Sequence, residues 1–314
     1  MATTNSDSVG GARPTREQQS GLIIVDKPSG LTSHDVVARI RRLAGTRKVG
    51  HAGTLDPMAT GVLVVGVEKA TRLLGYLTLT EKEYRATIRL GESTSTDDAE
   101  GERIDSQSNP RPVTDDELRS AVKALTGEIM QVPPKVSAIK VNGQRAYKLT
   151  RAGQAPELAA RPVTVHEFTI TAVRGSAALG GDDPPEPPRG CAEIDATIRC
   201  SSGTYIRSLA RDLGTALGTG GHLTALRRTQ VGPYGEAEAS SLNSLQERLV
   251  VLPLENAAAA SFPRRELGPE EARILSHGGR VPATAGTPGP VAAFGPDGAL
   301  IALIENDRPL VVFA

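Results

Sequence analysis

GHAGTLDPMATG, residues 50–61, is the most unusual stretch of this sequence, a glycine-rich loop with one carboxylate, Asp56. Its three glycines can adopt positive φ or bring the backbone close to a ligand. Pro57 biases the residue before it toward an extended conformation, and an apolar strand from Gly61 to Val67 follows at once. The pattern predicts a carboxylate on a rigid loop-to-strand junction, which is the support that an active site needs.

Two other interpretations of this loop come from the residues alone. An Asp-Pro pair within a glycine-rich loop is also typical of an ordinary turn, and that interpretation stays open at this point. A phosphate-binding P-loop is disfavoured because no Gly-Lys-Ser/Thr follows the glycines. The glycine-rich run at 218–221 is better explained as the end of a helix.

Helices and strands alternate on both sides of the loop. Capping boxes at Thr32/Asp35 and Thr114/Glu117 predict two helix starts, the second helix ending at Gly127. The remaining patterns predict helices over 70–77 and 206–217 and strands over 22–25, 82–90, 135–141, 162–173 and 191–200. Because Asn142-Gly143 and other turns indicate hairpins, we expect a mixed α+β fold with a mainly antiparallel sheet.

Composition divides the chain into segments of different character. Residues 1–20 are polar and predict a disordered tail, while residues 21–253 hold the alternating elements of one large domain. Within that domain, residues 174–190 are rich in Gly, Pro and acidic residues and predict a flexible insert. Residues 254–314 carry many Gly and Pro and short strands, and predict a small β-rich C-terminal domain.

Charge is balanced overall but uneven along the chain. Basic and acidic residues number 36 each, and the zero net charge by itself argues against a nucleic-acid-binding protein. The segment 39–48, however, has five basic residues and no acid, and the segment 92–105 has six acids against Arg103 alone. A neutral total is therefore compatible with a basic face and an acidic rim.

Cysteine content and hydropathy indicate the compartment. Cys191 and Cys200 lack a metal-ligand spacing and are too few for a disulfide framework, which favours free thiols in a reducing cytosol. The sequence shows neither a signal peptide nor an apolar run of about 18 residues. We therefore expect a cytoplasmic protein without a membrane span.

Several motifs in order resemble the TruB family, the bacterial tRNA pseudouridine-55 synthases. The glycine-rich loop, extended to Leu63, resembles the family's signature, and further similarities place the match over roughly residues 21–232. The other matching segments are DKPSG (26–30) with Thr32-Ser33, KEYR (82–85), SAIK (137–140), CSSGTYIR (200–207) and HLTALRR (222–228). The resemblance implies a pseudouridine synthase catalytic domain over 21–253 and a PUA-like domain over 254–314.

The resemblance implies that Asp56 is the essential catalytic residue. Pseudouridine formation breaks the bond from C1′ to N1, turns the uracil and joins C1′ to C5. A carboxylate can serve as the nucleophile or as the base that removes a ribose proton, and the sequence does not separate these routes. The family chemistry needs neither a metal nor an organic cofactor, so we expect none.

The same resemblance assigns partners to Asp56 on the helix that begins near residue 206. Arg207 matches the arginine that forms an ion pair with the essential aspartate, and a nearby cation favours the ionised carboxylate. Tyr205, two residues before it, matches a hydrogen-bonding and positioning tyrosine. Without the family match, a lone arginine at a helix start is more often solvated.

Three further residues match the family's uracil pocket. Tyr84 corresponds to the tyrosine that stacks on the flipped uracil and is also a candidate for handling the C5 proton. His51 corresponds to the histidine that fills the space left by the flipped base, and Leu226 to an apolar wall of the pocket. Taken alone, Leu226 is typical of core packing and His51 of a surface or hydrogen-bonded loop residue, and ordinary core packing is the alternative for Tyr84.

The implied substrate is the T stem-loop of tRNA, whose stacked target base must be flipped out. The candidates for RNA contact are basic residues of the matched or basic segments, namely Lys27, Arg39, Arg41, Arg42, Arg47, Lys48 and Lys140. Arg72 is a further candidate, because the resemblance places it where some relatives carry Lys, which preserves the charge but not the geometry. A solvated helix face is the alternative for the segment 39–48. A second functional hypothesis is an RNA-folding factor that binds tRNA without catalysis. We expect a monomer.

Overall fold

A mixed, mainly antiparallel sheet organises the computed structural model, which describes residues 20–106, 113–137, 140–141, 144–145, 158–175, 192–282 and 288–314. The helices are α1 (Ser33–Ala44), α2 (Leu74–Thr78), α3 (Asp115–Ala124), α4 (Ile206–Leu217), α5 (Leu242–Glu247), α6 (Leu254–Ser261) and α7 (Pro269–Ser276), with short 3-10 helices at Glu68–Leu73 and Glu236–Glu238. The strands are β1 (Gly21–Lys27), β2 (Val49–His51), β3 (Thr60–Val67), β4 (Lys82–Leu90), β5 (Glu92–Thr94), β6 (Arg103–Ser106), β7 (Gly127–Gln131), β8 (Lys140–Val141), β9 (Gln144–Arg145), β10 (Arg161–Arg174), β11 (Ala192–Cys200), β12 (Gly221–Val231), β13 (Tyr234–Gly235), β14 (Ser240–Ser241), β15 (Leu252–Pro253), β16 (Arg264–Glu266), β17 (Val291–Phe294), β18 (Leu300–Glu305) and β19 (Arg308–Val312).

The main sheet runs in the order β14-β1-β3-β12-β4-β11-β10-β7. Most neighbours are antiparallel, and the pairs of β1 with β14 and of β12 with β3 are parallel. The strands β4, β11 and β10 follow one another through long antiparallel ladders. The predicted α+β class with a mainly antiparallel sheet is confirmed.

The alternation of side chains explains how the sheet is covered. On β4 the residues Tyr84, Ala86 and Ile88 are buried, whereas Arg85 on the other face is exposed. The strands β1 and β3, in contrast, are apolar on both faces and buried on both. One face packs against α1, α3 and α4, and the other packs against α2, α6 and the C-terminal strands.

The C-terminal residues form a second sheet in the order β16-β17-β18-β19. Phe294 and Leu303 of this sheet belong to the same buried cluster as Val62 and Val64 of β3. A C-terminal β-rich unit is therefore present and shares a core with the main sheet. The boundary predicted at residues 253/254 and the likeness to a PUA domain remain predictions.

The local signals at helix starts are confirmed in detail. Thr32 caps α1 and Thr114 caps α3, each through a reciprocal capping box with the acidic residue three positions later. The helix α4 begins at Ile206 and ends at Gly218 in the left-handed conformation, as its sequence pattern predicts. These interactions are local in sequence, which is why single-chain patterns reveal them.

Three predicted element boundaries are wrong. The helix over 70–77 is a 3-10 helix followed by the short α2, because Glu68 starts it with a positive φ of 52°. The helix α3 ends at Ala124, and Gly127 instead opens β7 with a φ of 98°. Residues 135–137, predicted as the start of a strand, are not strand, while Lys140–Val141 form β8, which pairs with β9.

Parts of three expectations lie outside the described residues. The tail is described only at its last position, Ser20, and residues 176–190 of the insert are not described. Cys191 also lies outside, while Cys200 is a buried free thiol. Among the described residues, none of the helices combines the length and the apolar character needed to cross a bilayer.

The contact between α4 and the start of β12 yields a stability test. A Cβ added to Gly214 would lie 2.2 Å from the backbone of Gly220 and Gly221. Although alanine favours a helix by about 1 kcal/mol over glycine, the clash decides the sign here. We expect Gly214→Ala to lower the free energy of unfolding by about 2 kcal/mol or more in urea denaturation.

Gly75 of α2 is the matched control for this test. It has no atoms within 4 Å of an added Cβ and an ordinary helical φ. We expect Gly75→Ala to leave the free energy of unfolding unchanged or to raise it by up to about 1 kcal/mol. Equal effects of the two substitutions would contradict the proposed contact.

Candidate active site

A cavity of about 260 Å³ opens between the glycine-rich loop, β4, β12 and the start of α4. Five residues singled out from the sequence line it together: Asp56, Tyr84, Tyr205, Arg207 and Leu226. They come from four separated segments of the chain, so only the fold brings them together. Their location is now established, and their individual roles remain predictions.

The loop that carries Asp56 is fixed through its backbone. Ser33 at the start of α1 accepts a hydrogen bond from Leu55 N–H at 2.8 Å and donates one to Leu55 C=O at 3.1 Å. The next carbonyl but one, that of Pro57, accepts hydrogen bonds from Gly30 N–H at 2.8 Å and from Lys27 Nζ at 3.2 Å. Asp56 therefore stands between two anchored residues, with its side chain 34% exposed toward the cavity.

Arg207 is the ion-pair partner of Asp56. Its Nε lies 2.9 Å from Asp56 Oδ2, but this N–H has no aligned acceptor, so the contact is ionic rather than a well-formed hydrogen bond. The guanidinium also lies 3.4 Å from the buried Asp98 and donates to Thr96 C=O at 2.9 Å and to Val136 C=O at 3.0 Å. Only 5% of the Arg207 side chain is exposed, so its position is set by these four contacts.

The two tyrosines form polar-edged walls of the cavity. Tyr84 projects from the inward face of β4 and is almost fully buried, and Tyr205 precedes the first residue of α4. Burial raises the pKa of both phenols above their ordinary value. Both hydroxyls are consequently neutral near pH 7 and able to donate a hydrogen bond, while Leu226 adds an apolar surface.

Two buried cations at the cavity were missed as site residues. Arg228 is 1% exposed and donates to Val62 C=O at 2.7 Å, Gly53 C=O at 3.1 Å and Thr54 C=O at 3.4 Å. Lys82 donates to the carbonyls of Thr78 and Thr80, and burial, reinforced by Arg228, lowers its pKa to about 8. Each lies two residues from a predicted pocket residue on the same strand face, a period-two signal that would have revealed both.

His51 lies at the start of the glycine-rich loop and is not among the residues that line the cavity. It ends β2, and its ring makes an edge contact with His34 at a centroid distance of 5.6 Å. Burial, and secondarily His34, lowers the pKa of His51. Its Nδ1 is buried without a hydrogen-bond partner among the residues that the structure describes.

Most of the basic segment after residue 38 is exposed. Arg39, Arg42 and Arg47 have exposed side chains and no ion pair within the described part of the chain. Arg41 donates to Val49 C=O at 3.1 Å, and Lys48 lies 3.7 Å from Glu68. These three arginines therefore present positive charge to solvent, and Arg39 also interacts electrostatically with Asp35 one turn earlier on α1.

The other three candidates for RNA contact differ in their surroundings. Lys27 is fully buried and donates to the carbonyls of Pro28, Leu31 and Pro57, and burial lowers its pKa to about 8. This position supports the loop of Asp56 and leaves Lys27 no surface for RNA. Arg72 is exposed but donates to Val312 C=O at 2.6 Å, and only the backbone of Lys140 is described.

The arrangement suits a small, flat ligand held next to one carboxylate. Tyr84 and Leu226 offer stacking and apolar surfaces, Asp56 offers a nucleophile or base, and Arg207 balances its charge. Within the described ranges no cluster of three His, Cys, Asp or Glu side chains is placed to hold a metal ion. The side chains that line the cavity are suited to acid–base or covalent catalysis by the Asp56 carboxylate.

Family models cover almost all of the described chain. The model "TruB family pseudouridylate synthase (N terminal domain)" matches residues 41–206. The model "tRNA pseudouridylate synthase B C-terminal domain" matches residues 207–271, and "tRNA Pseudouridine synthase II, C terminal" matches residues 262–314. The first match alone spans more than half of the chain.

Curated relatives and solved structures agree with these matches. The tRNA pseudouridine synthase B of Arthrobacter sp. (strain FB24) is 60% identical over 94% of this chain and 97% of its own length, and that of Thermobifida fusca (strain YX) is 59% identical over 94% and 98%. A chain in the crystal structure of a Cbf5-Nop10-Gar1 complex superposes with a TM-score of 0.71 at 28% identity, covering 96% of this chain and 88% of that one. The chain therefore belongs to the TruB family of tRNA pseudouridine synthases.

Proposed function

We propose that this chain converts uridine-55 in the T loop of tRNA into pseudouridine, with Asp56 as the catalytic group. The observation that carries the proposal is the Asp56–Arg207 ion pair on the wall of a cavity lined by Tyr84 and Leu226. Pure binding of RNA would not require a carboxylate there. The names of the bacterial relatives support a tRNA substrate.

The reaction exchanges one glycosidic bond for another without a change in oxidation state. The C1′–N1 bond breaks, the uracil turns within the cavity and the C1′–C5 bond forms. N1 gains a proton and C5 loses its proton to solvent, so atoms and charge balance without a co-reactant. Asp56 acts either as a nucleophile toward the sugar or base, or as the base that removes a ribose proton.

The target base must leave its stack to reach Asp56. Flipping costs a few kcal/mol, and stacking of the uracil on Tyr84 against the apolar Leu226 offsets part of that cost. The neutral hydroxyl of Tyr205 is suited to hydrogen bonding with the flipped nucleotide. His51, whose burial lowers its pKa and favours the neutral ring, stands at the start of the glycine-rich loop and is suited to stabilise the RNA loop that the base has left.

The RNA backbone requires positive charge outside the cavity. The exposed guanidinium groups of Arg39, Arg42 and Arg47 supply it through phosphate contacts. We propose that the chain acts as a monomer. We further propose that it acts in the cytoplasm, where bacterial tRNA is found.

Asp56→Asn tests the catalytic assignment. The substitution removes the charge but keeps the shape, so the cavity still admits the nucleotide. With tRNA tritiated at uridine C5, we expect release of tritium to fall by about 10⁴-fold or more, the scale of single catalytic groups. Binding of the same tRNA, measured by filter retention, is expected to persist.

Asp116→Asn serves as the control for charge loss. This carboxylate on α3 is 97% exposed, and it is not among the residues that line the cavity. It should release tritium at the wild-type rate. Mapping of the modified position in tRNA from a deletion strain then tests uridine-55. Normal turnover by Asp56→Asn would contradict catalysis by this carboxylate, and a binding-only factor would release no tritium even as wild type.

Arg39→Gln combined with Arg42→Gln tests the phosphate surface. We expect weaker tRNA binding and a shallower dependence of log K on log salt concentration, by about 1 for each lost phosphate contact. Turnover at saturating tRNA should stay unchanged because neither residue lines the cavity. Arg119→Gln, on the exposed face of α3 beside two acids, is the control, and an unchanged salt slope in the double variant would contradict the assignment.

A further inference from the structure

Gln131 forms an unusual contact with the start of α4. It is the last residue of β7, the edge strand of the main sheet, and its side chain is 2% exposed. Its Nε2 donates to Tyr205 C=O at 3.1 Å, and its Oε1 accepts from Tyr205 N–H at 2.8 Å. One buried amide thus satisfies both backbone groups of a single residue 74 positions away.

Tyr205 stands where the chain enters α4, so a contact that fixes its backbone also fixes the start of the helix. It is the N-cap of α4, with an extended φ of −100° and ψ of 111°, and no side chain caps the helix there. Its carbonyl already accepts from Leu209 N–H inside the helix. The amide of Gln131 therefore fixes the orientation of the peptide from which α4 and its first side chains project.

The residues after Gln131 extend the same contact. Val132 C=O accepts from Ser208 Oγ at 2.9 Å and from Arg211 Nη2 at 2.8 Å. Val136 C=O accepts from Arg207 Nη2 at 3.0 Å. The edge of the sheet thus holds the first turn and a half of α4 through side-chain and backbone hydrogen bonds.

We propose that Gln131 is a positioning residue of the reaction, holding Tyr205 and Arg207 in place against Asp56. Gln131 does not line the cavity, so it acts through the backbone of Tyr205. A side-chain amide complements both groups of that backbone, because it presents an N–H donor and a carbonyl acceptor side by side in a fixed geometry. This inference rests on the proposed function of the cavity.

Gln131→Glu provides a signature that a merely structural role lacks. An ionised carboxylate accepts from Tyr205 N–H but cannot donate to Tyr205 C=O, and two acceptors then face each other. A protonated carboxyl restores both hydrogen bonds. Burial and a hydrogen bond donated by the neutral acid both raise the pKa of a carboxyl group, so the restored state is reached within the range of the assay.

The expected result is a pH-dependent ratio of kcat between the variant and wild type. At about pH 8, Gln131→Glu should turn over about 100-fold more slowly, the cost of a small misplacement of catalytic groups. Toward about pH 5.5 the ratio should recover by at least about tenfold, with KM for tRNA nearly unchanged. The charged neighbours are Arg207 and Arg211 on α4 and Arg161, the partner of Gln131 on β10; their positive charges favour the ionised carboxyl and act against the effect of burial and of the restored hydrogen bond.

Two further variants separate positioning from folding. Gln131→Leu removes both hydrogen bonds and should be slow at every pH. Gln230→Glu is the matched control, an exposed glutamine whose amide donates to Gly232 C=O at 2.8 Å, and should follow wild type throughout. Thermal unfolding of each variant is followed over the same pH range.

A ratio that stays flat with pH for Gln131→Glu would overturn the proposal, as would recovery that only tracks the fraction of folded protein. An effect confined to KM would overturn it as well. Failure of the proposed function looks different, because wild type itself would then release no tritium from tRNA. If wild type turns over tRNA and the ratio of kcat stays flat with pH, the positioning role of Gln131 is rejected and the proposed function of the cavity is kept.

Discussion

The buried guanidinium of Arg207 is the interaction on which the site depends. Removing an arginine from water is costly unless its charge and its donors are compensated. Here the compensation comes from three separate segments: Asp56 of the glycine-rich loop, Asp98 and Thr96 between β5 and β6, and Val136 beyond β7. Each segment supplies part of the compensation, so contact with Arg207 holds the three segments close to one another. The Asp56 and Arg207 side chains line the cavity at this point.

The loop of Asp56 poses the opposite problem, since glycine-rich backbone has few side chains by which it can be held. The structure holds it by its carbonyls instead. Arg228 binds the carbonyls of Gly53 and Thr54 on one side, and Lys27 binds that of Pro57 on the other. Buried cations therefore hold the backbone around a carboxylate that remains partly exposed to the cavity.

The sequence predicted what is encoded locally and missed what depends on the fold. The capping boxes of α1 and α3, the alternation of β4 and the loop of Asp56 each depend on neighbours in the chain, and they were found. Asp98 illustrates the rest: in the sequence it is one of six acids of a supposed acidic rim, yet it is buried against Arg207. Charge counting cannot separate a solvated carboxylate from a buried one. Arg228 and Lys82 differ from Asp98, because the period-two alternation of their strands does place each on the face of a predicted pocket residue.

A zero net charge is compatible with an RNA substrate once buried and exposed charges are considered apart. Among the described residues, the cations buried near the cavity are Lys27, Lys82, Arg207 and Arg228, and Asp98 is the fully buried acid beside them. Charges in a cleft with low-dielectric walls act over longer distances than solvated ones. The acids that balance the total, such as Asp116 and Glu270, are largely exposed and screened. The electrostatic potential that an approaching phosphate meets at the cavity opening is therefore set by the charges in the cavity and by the basic segment 39–48. The net charge of the whole chain does not determine it.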